Sequence, residues 1–458
     1  MTEDYDVLVV GSGTAGQTAA YQLNKDGLKV GLVEHSDRPG GTCALSGCQA
    51  KKWFYEGTEV VARSHHLAQM GIDSPASGSW AQLLVEKNKF TTGVPDNTIS
   101  GLKDAGIDFI KGRARFVDQR AISVSDRRLT ARYIVLATGA VPMVLPFDGG
   151  ELMVTSREFM ELAQLPRRIV YIGGGFISFE FAHFAARLGG DGTRCTILEA
   201  AARPLANFDE EMVDLLVAAS ASEGIDLRCE VNITAITKTG RTFKVITESG
   251  PDFEADLVVH GAGRSPDIES LALEKAGIDS SRQGIRVNTD MATTNPWVYA
   301  VGDCAATVQL ARVADAEAQV AAANIVIKEK GGQQDAVMDY TAVPSVLFTY
   351  PQYGMEGATE SELDDKGVAF KKSFAKELAW PTYKRVGLTS AAYNLLVAEN
   401  GRILGAHVLS DNATGLINAF MLAMVNRLSV ETLYRQSVMT PYPSRESDII
   451  YMLKPLID

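Results

Sequence analysis

A strand, a glycine turn, a helix and a second strand open this chain, and the same unit returns in its middle. Residues 5–10 read as an apolar strand, 11–16 as the turn, about 17–26 as a helix and 29–34 as the second strand. Residues 168–172, 173–175, the stretch to 188 and 194–199 repeat the plan. Apolar β-type runs alternating with helical stretches imply α/β architecture, with two Rossmann-like units of similar design. This is a repeat of fold, not a short-period array.

The turns carry chemistry. Gly11-x-Gly13-x-x-Gly16 follows a strand and opens a helix, with Ser12 and Ala15 between the glycines. Such glycines permit a tight turn, close approach of backbone to a pyrophosphate and close helix–strand packing, while the helix N-terminus faces the phosphates. Glu34 ends the next strand where an acid can hold a ribose hydroxyl pair, with His35 beside it. The second turn reads Gly173-x-Gly175-Phe176-Ile177-Ser178. Serine stands at the third glycine position and is small enough to keep the packing. Glu199 closes the following strand; a carboxylate there favours a free 2′-hydroxyl, hence NAD(H) over NADP(H), with Arg194 and Arg203 near enough to soften the choice.

The bulk properties narrow the class. At 458 residues the chain has room for about three domains. Its net charge of −12 argues against nucleic acid or an anionic membrane as partner. No apolar run reaches spanning length, and the acidic start runs straight into a strand, so the expected address is cytoplasmic.

Five cysteines do not make a disulfide scaffold in a chain of this size. Cys195, Cys229 and Cys304 read as small buried side chains. Cys43 and Cys48 sit together in Gly40-Gly41-Thr42-Cys43-Ala44-Leu45-Ser46-Gly47-Cys48. Five apart, they can meet on adjacent helical turns, and a helix N-terminus stabilises a thiolate. A redox pair, a structural pair and half of a metal site all fit this spacing. A zinc site needs two further ligands, none of which is evident, so no metal site is expected.

With these motifs, the sequence resembles the pyridine nucleotide-disulfide oxidoreductases, which include dihydrolipoamide dehydrogenase, glutathione reductase and mercuric reductase. The resemblance runs along essentially the whole chain. It rests on the Gly11 fingerprint, Gly-Gly-Thr-Cys-x4-Cys, Ala137-Thr138-Gly139, the Gly173 unit with Glu180, Gly263-Arg264-x-Pro266, Val301-Gly302-Asp303 and the segment from Pro344 to Pro351. It implies a flavoenzyme holding FAD and a nicotinamide cofactor, with Cys48 against the flavin as charge-transfer thiolate and Cys43 as the outer, exchanging thiol. Lys52 would sit near the flavin N5 and pair with Glu180. Asp303 and the backbone around Leu310 and Ala311 would hold the ribityl chain and isoalloxazine edge. Gly41, Thr42, Ala114, Thr138, Gly139 and Gly263 complete the expected cofactor contacts. Phe176 stands where many relatives carry a tyrosine gating the nicotinamide pocket.

One part of the pattern fails. Disulfide reductases of this family supply a C-terminal His-Pro motif, with a Glu five residues after the His, to the partner subunit's active site. Here Tyr442 holds the histidine position and Ser447 the glutamate position, unless a one-residue shift brings in Asp448. A phenol with pKa about 10 is a poor base at neutral pH, although it donates hydrogen bonds and contacts metals or thiolates. Alternatively Tyr442 packs at a dimer interface. Mercuric reductases carry a tyrosine in this region, but their additional C-terminal cysteine pair has no counterpart before Asp458. The aromatic run Trp53-Phe54-Tyr55 reads as core or dimer seam, or else as the wall of a pocket in which Lys51 or Arg445 meets an anionic substrate. Ser444 reads as a possible helix N-cap.

The expectations are therefore an FAD-binding domain over residues 1–148, an NAD-binding domain over 149–265, a central domain over 266–332 that completes the FAD site, and an α+β dimerisation domain over 333–458. The chain is expected to be a homodimer that passes electrons from NADH through FAD and the dithiol to a small-molecule or disulfide acceptor. Two alternatives stay open: a metal or small-oxidant reductase of the mercuric-reductase type, and a non-catalytic flavin redox sensor.

Overall fold

The apolar runs beside the glycine turns become parallel strands covered on both faces. The computed structural model describes residues 2–68, 70–190, 192–333 and 335–457. These group into two units: Met1–Lys52, Val85–Met143 and Gly263–Asp339 in the first, and Trp53–Leu84, Val144–Ala262 and Tyr340–Asp458 in the second.

The first unit begins with β1 (Thr2–Val10), α1 (Thr14–Lys25), β2 (Val30–Glu34), α2 (Gly41–Ser46) and the start of α3 (Cys48–His66). β1 lies between β2 and the strand Arg127–Leu136, parallel to both, with Val7 opposite Val30 and Tyr133. The strand Val298–Ala300 extends the parallel sheet, with Val298 opposite Ile134. Val7, Leu8, Val9, Val135 and Leu136 are buried. Strands buried on both faces read as unbroken apolar runs, which is why these were visible in the sequence. Small side chains let α1 lie close against the helix Ala311–Glu329: Ala19, Ala20, Ala318, Ala321 and Ala322 share one core. α1 starts earlier than the glycine pattern implied, because Gly16 belongs to its first turn. A Cβ there would stand 1.9 Å from the Gly11 carbonyl oxygen.

In the second unit β3 (Arg168–Ile172), α4 (Phe176–Leu188) and β4 (Arg194–Leu198) repeat the first motif, followed by α5 (Glu210–Ser222). β3 pairs in parallel with β4 and with Leu257–His260. The C-terminal part is a five-stranded antiparallel sheet in the order Ser345–Leu347, Gln352–Gly357, Ile403–Ser410, Ala392–Val397 and Lys371–Ala375. The helix Ala413–Val425 buries Leu416, Ile417 and Phe420 against Leu395, Ala406 and Val408 of this sheet. The fold is thus α/β, with two Rossmann-like units and a C-terminal α+β domain, as expected. Among the described residues, no helix is long and apolar enough to cross a membrane.

Candidate active site

The first glycine turn ends β1 at the carboxyl edge of the parallel sheet, where open α/β sheets bind ligands. Gly11 has φ +111°, and a Cβ on it would collide with the Ala137 carbonyl oxygen at 2.2 Å. A Cβ on Gly41 would stand 2.4 Å from the Cα of Gly13. The α2 entry therefore lies on the fingerprint turn, and the surface between them is bare backbone. Glu34 is buried and doubly tied: its Oε2 accepts from the Ser12 N–H (2.9 Å) and hydroxyl (2.6 Å), and its Oε1 from the Ser36 N–H (2.7 Å). The Gly40 N–H donates in turn to the Ser12 hydroxyl oxygen (3.0 Å). Such a fixed carboxylate beside a side-chain-free turn fits the ribose and pyrophosphate of a dinucleotide. His35 lies 3.5 Å from Glu34, with its ring largely in solvent.

Further expected contacts surround this turn in the same unit. Ala15 and Ala114 are buried, and Thr138 and Gly139 follow the strand Arg127–Leu136, Gly139 at φ +73°. Asp303 is half-buried; burial raises its carboxyl pKa, and the nearby Arg264 guanidinium opposes the rise. Arg264 itself donates to the Ala140 carbonyl, and Gly263 adopts φ +103°. Leu310 caps the helix that begins at Ala311. Two acids went unnoticed in the sequence. The buried Glu317 accepts from the Gly302 N–H (2.6 Å), fixing the turn that presents Asp303. Asp315 accepts from the hydroxyls of Thr14 (2.6 Å) and Thr18 (3.2 Å), tying α1 to its neighbour helix. Neither stands in a recognisable motif; each is identified only by the turn or helix it touches.

The two thiols do not share one helix, which corrects the expectation of adjacent turns. α2 ends at Ser46, α3 starts at Cys48, and Gly47 between them has φ −140° and ψ −128°. A Cβ on Gly47 would stand 2.8 Å from the Thr42 carbonyl oxygen, so the kink requires glycine. In an unbroken helix, side chains five apart would diverge by roughly 140°. The break brings them together: both are free thiols, and they share a hydrogen bond. That bond, then burial and the charge on Cys48, push the Cys43 thiol well above the ordinary thiol range. The pair thus keeps its proton on Cys43. Cys48 occupies the first residue of a 19-residue helix, where the N-terminal dipole favours a thiolate. Thr42 is exposed beside them, and Lys52 follows one turn after Cys48 on α3.

The second turn is built alike. Gly173 has φ +94°, and a Cβ on it would meet Ala262 at 2.5 Å. Glu199 accepts from the Gly174 N–H (2.5 Å) and the Ala201 N–H (2.7 Å), repeating the Glu34 arrangement. Ser178 is buried with its hydroxyl where a Cβ on Gly261 would fall, so it does the packing of the missing glycine. Gly175 caps α4, Phe176 is 49% exposed at its first position, and Ile177 is half-buried behind it. Neither candidate arginine faces this carboxylate. Arg194 begins β4, at the opposite end from Glu199, and the Arg203 guanidinium donates to the carbonyls of Ala206 (2.6 Å) and Phe208 (3.2 Å). Further along α4, Glu180 is only 1% exposed and its Oε1 accepts from the Phe348 N–H (3.0 Å).

The C-terminal segment places Tyr442 in solvent, 73% exposed, with Met439 at 86%. Arg445 is buried, pairs with Asp411 (2.6 and 2.9 Å) and lies over the Tyr383 ring at 4.1 Å. It is committed to this pair, which removes the reading of Arg445 as an anion-binding residue. The buried Asp448 accepts from the Thr382 hydroxyl. Ser444 accepts from the Ser447 N–H (3.1 Å) but is not the helix N-cap expected of it: the short helix Glu446–Asp448 has Arg445 at that position, one residue later. In the aromatic run, Phe54 stacks on Trp80 at 4.0 Å and the buried Tyr55 receives a hydrogen bond from Gln352 (2.6 Å), whereas Trp53 is exposed. Two of the three therefore belong to the core.

Two nucleotide turns, a thiol pair at a helix start and a C-terminal antiparallel domain define a flavin-linked disulfide oxidoreductase. The chain belongs to the pyridine nucleotide-disulphide oxidoreductase family: that family matches residues 5–318, and its dimerisation domain matches residues 343–448. It is 30% identical to a mercuric reductase of Staphylococcus aureus, over 94% of this chain and 79% of that protein. It is equally 30% identical to a dihydrolipoyl dehydrogenase of Chlamydia pneumoniae, covering 95% and 93% of the two chains. A glutathione reductase of Nostoc sp. also stands at 30%, covering 93% and 94%. Among solved structures, the Cu(II) complex of the HOCl-induced flavoprotein disulfide reductase RclA of Escherichia coli superposes with a TM-score of 0.87 at 24% identity, covering 99% and 100%. FAD and a nicotinamide cofactor are the cofactors of this family, and the two glycine-turn sites fit them.

Proposed function

We propose that this enzyme takes two electrons from NADH, carries them through FAD to the Cys43–Cys48 disulfide, and delivers them from the dithiol to an acceptor. The observation that carries this reading is the kinked thiol pair beside the first nucleotide turn. FAD, when bound, supplies a two-electron carrier between the nicotinamide and the disulfide. The protein's own residues do the rest. The disulfide takes up two electrons and one proton, as a hydride equivalent supplies; Cys48 is the thiolate, favoured by its helix start, and Cys43 keeps the shared proton until it attacks the acceptor. Lys52 is the proposed cation at the flavin and Glu180 the proposed carboxylate on the nicotinamide side. Gly11, Ser12, Gly13, Glu34 and Asp303 are the proposed FAD contacts, and Gly173, Gly175 and Glu199 the proposed nicotinamide-nucleotide contacts.

NADH is the proposed donor because Glu199 presents a carboxylate where NADPH would place a phosphate, with Arg194 and Arg203 directed elsewhere. A second copy is the proposed partner, since the dimerisation domain is present and Leu422, Val425, Val438 and Met439 are exposed apolar side chains on it. A dithiol recharged by NADH belongs where NADH is kept, so we assign the enzyme to the cytoplasm.

The acceptor has two readings. A lipoamide- or glutathione-like disulfide needs a proton on its leaving sulfur, a task for a base near neutrality; among residues 438–448 there is no histidine. A metal ion or a small oxidant makes no such demand, and Tyr442, with its phenol in solvent, favours this second reading. The relatives do not choose between the two, since a mercuric reductase, a dihydrolipoyl dehydrogenase and a glutathione reductase stand at the same identity. Turnover with NADH and with NADPH, against lipoamide, glutathione disulfide, quinone, oxygen and metal ions, separates the two. Rapid lipoamide or glutathione reduction that survives Tyr442→Phe would refute the metal or small-oxidant reading.

A further inference from the structure

Three polar side chains of α4 fasten onto one short stretch of backbone after the strand Ser345–Leu347. Glu180 accepts from the Phe348 N–H at 3.0 Å. Three residues on, His183 Nδ1 faces the Tyr350 N–H at 3.4 Å. Four further on, Arg187 donates to the Tyr350 carbonyl at 3.0 Å and to His183 Nδ1 at 2.9 Å. Residues 180, 183 and 187 fall on one face of a helix. His183 Nδ1 therefore accepts, its Nε2 carries the hydrogen, and that hydrogen goes to the Ser220 oxygen at 2.9 Å. The imidazole is neutral and completely buried, and burial together with Arg187 holds its pKa well below the usual histidine range. The Arg187 guanidinium is buried too and is balanced by Glu223 at 2.9 Å.

A buried cation, an imidazole and a carboxylate in series along one helix face are costly to maintain unless their geometry is used. What they hold in common is residues 348–350, and the first of these supplies a hydrogen-bond donor to Glu180. We propose that Arg187, with His183 beside it, is a positioning residue for Glu180, acting through the backbone of residues 348–350. Fixing both the N–H and the carbonyl of Tyr350 fixes the direction of the Phe348 N–H, and with it the Glu180 carboxylate. This inference rests on the proposed role of Glu180 in electron transfer from the nicotinamide.

The test is a double-mutant cycle read as the rate constant of anaerobic flavin reduction by NADH in the holoenzyme. Arg187→Met is combined with Glu223→Gln so that no buried charge is left unpaired. In the parent background this change should slow reduction about tenfold while shifting the NADH dissociation constant less than about twofold. In a Glu180→Gln background the same change should alter the rate less than about twofold, because the carboxylate it positions is gone. Equal slowing in both backgrounds, or none in the parent, overturns the inference and leaves the Glu180 role standing. If Glu180→Gln alone leaves the rate untouched, the role of Glu180 fails and the inference fails with it. Should Arg187→Met not yield folded protein, Arg187→Lys keeps the charge but loses the fork, and the same non-additivity is required of it.

Discussion

The thiol pair sets what individual residues can be asked to do. Cys43 is the thiol that keeps its proton, and Cys48 the one at the helix start. In an anaerobic titration, the parent enzyme should consume about twice the NADH that its flavin alone accounts for, because the disulfide stores a second electron pair. Cys43→Ser should halve that uptake while keeping its flavin; unchanged uptake would remove the disulfide from the electron path. Glu199 is the residue we propose for nucleotide choice. Replacing it with alanine should raise the ratio of kcat/KM for NADPH over NADH by about tenfold or more, as expected for relief of like-charge opposition at close range. A ratio that does not move would place the selectivity elsewhere.

At the scale of elements, the strand Gln352–Gly357 carries a buried carboxylate whose titration is visible in stability. Burial raises the Glu356 pKa to about 7, against the opposing N–H groups of Gly357 and Val343. The folded chain thus binds this proton more tightly than the unfolded chain, whose glutamate titrates near 4.3. The contribution is complete below that lower value and is lost as pH rises through about 7. Glu356→Gln, which imitates the protonated form, should melt with the parent near pH 4 and above it near pH 8. Identical melting at both would contradict the assignment. Which elements were legible follows the same physics. The parallel strands and glycine turns announce themselves because their apolar runs and their glycines are local in sequence. His183, Arg187 and Glu317 do not, since each acts on a backbone group chosen by tertiary packing: Arg187 meets Tyr350, 163 positions away. Serine at position 178, small enough for the place of the third glycine, is fitted there by its packing against Gly261.

For the whole molecule, the family and its dimerisation domain frame the prediction. Leu422, Val425, Val438 and Met439 are exposed on the second unit, and exposed apolar side chains on such a domain are candidates for an association surface. Leu422→Glu combined with Val438→Glu should convert dimer to monomer in sedimentation at micromolar concentration, without loss of bound flavin. If the protein remains a dimer, the interface uses another face. The three activities that stand at equal identity to this chain show why its acceptor could not be read from overall resemblance. This chain departs from the expected pattern in its C-terminal segment, where Tyr442 stands at the position expected for histidine and Arg445 is withdrawn into an ion pair with Asp411.

The single glycine between α2 and α3 has a consequence for anyone who would borrow this chemistry. Copied as a short linear peptide, Thr42 to Cys48 would hold neither helical turn, and nothing would keep its sulfurs together. The motif is therefore not a cassette defined by spacing. It works as a hinge whose two leaves must both be supplied, one resting on the Gly13 turn and the other running on as a long helix, so any transplant into another scaffold has to carry the fingerprint with it.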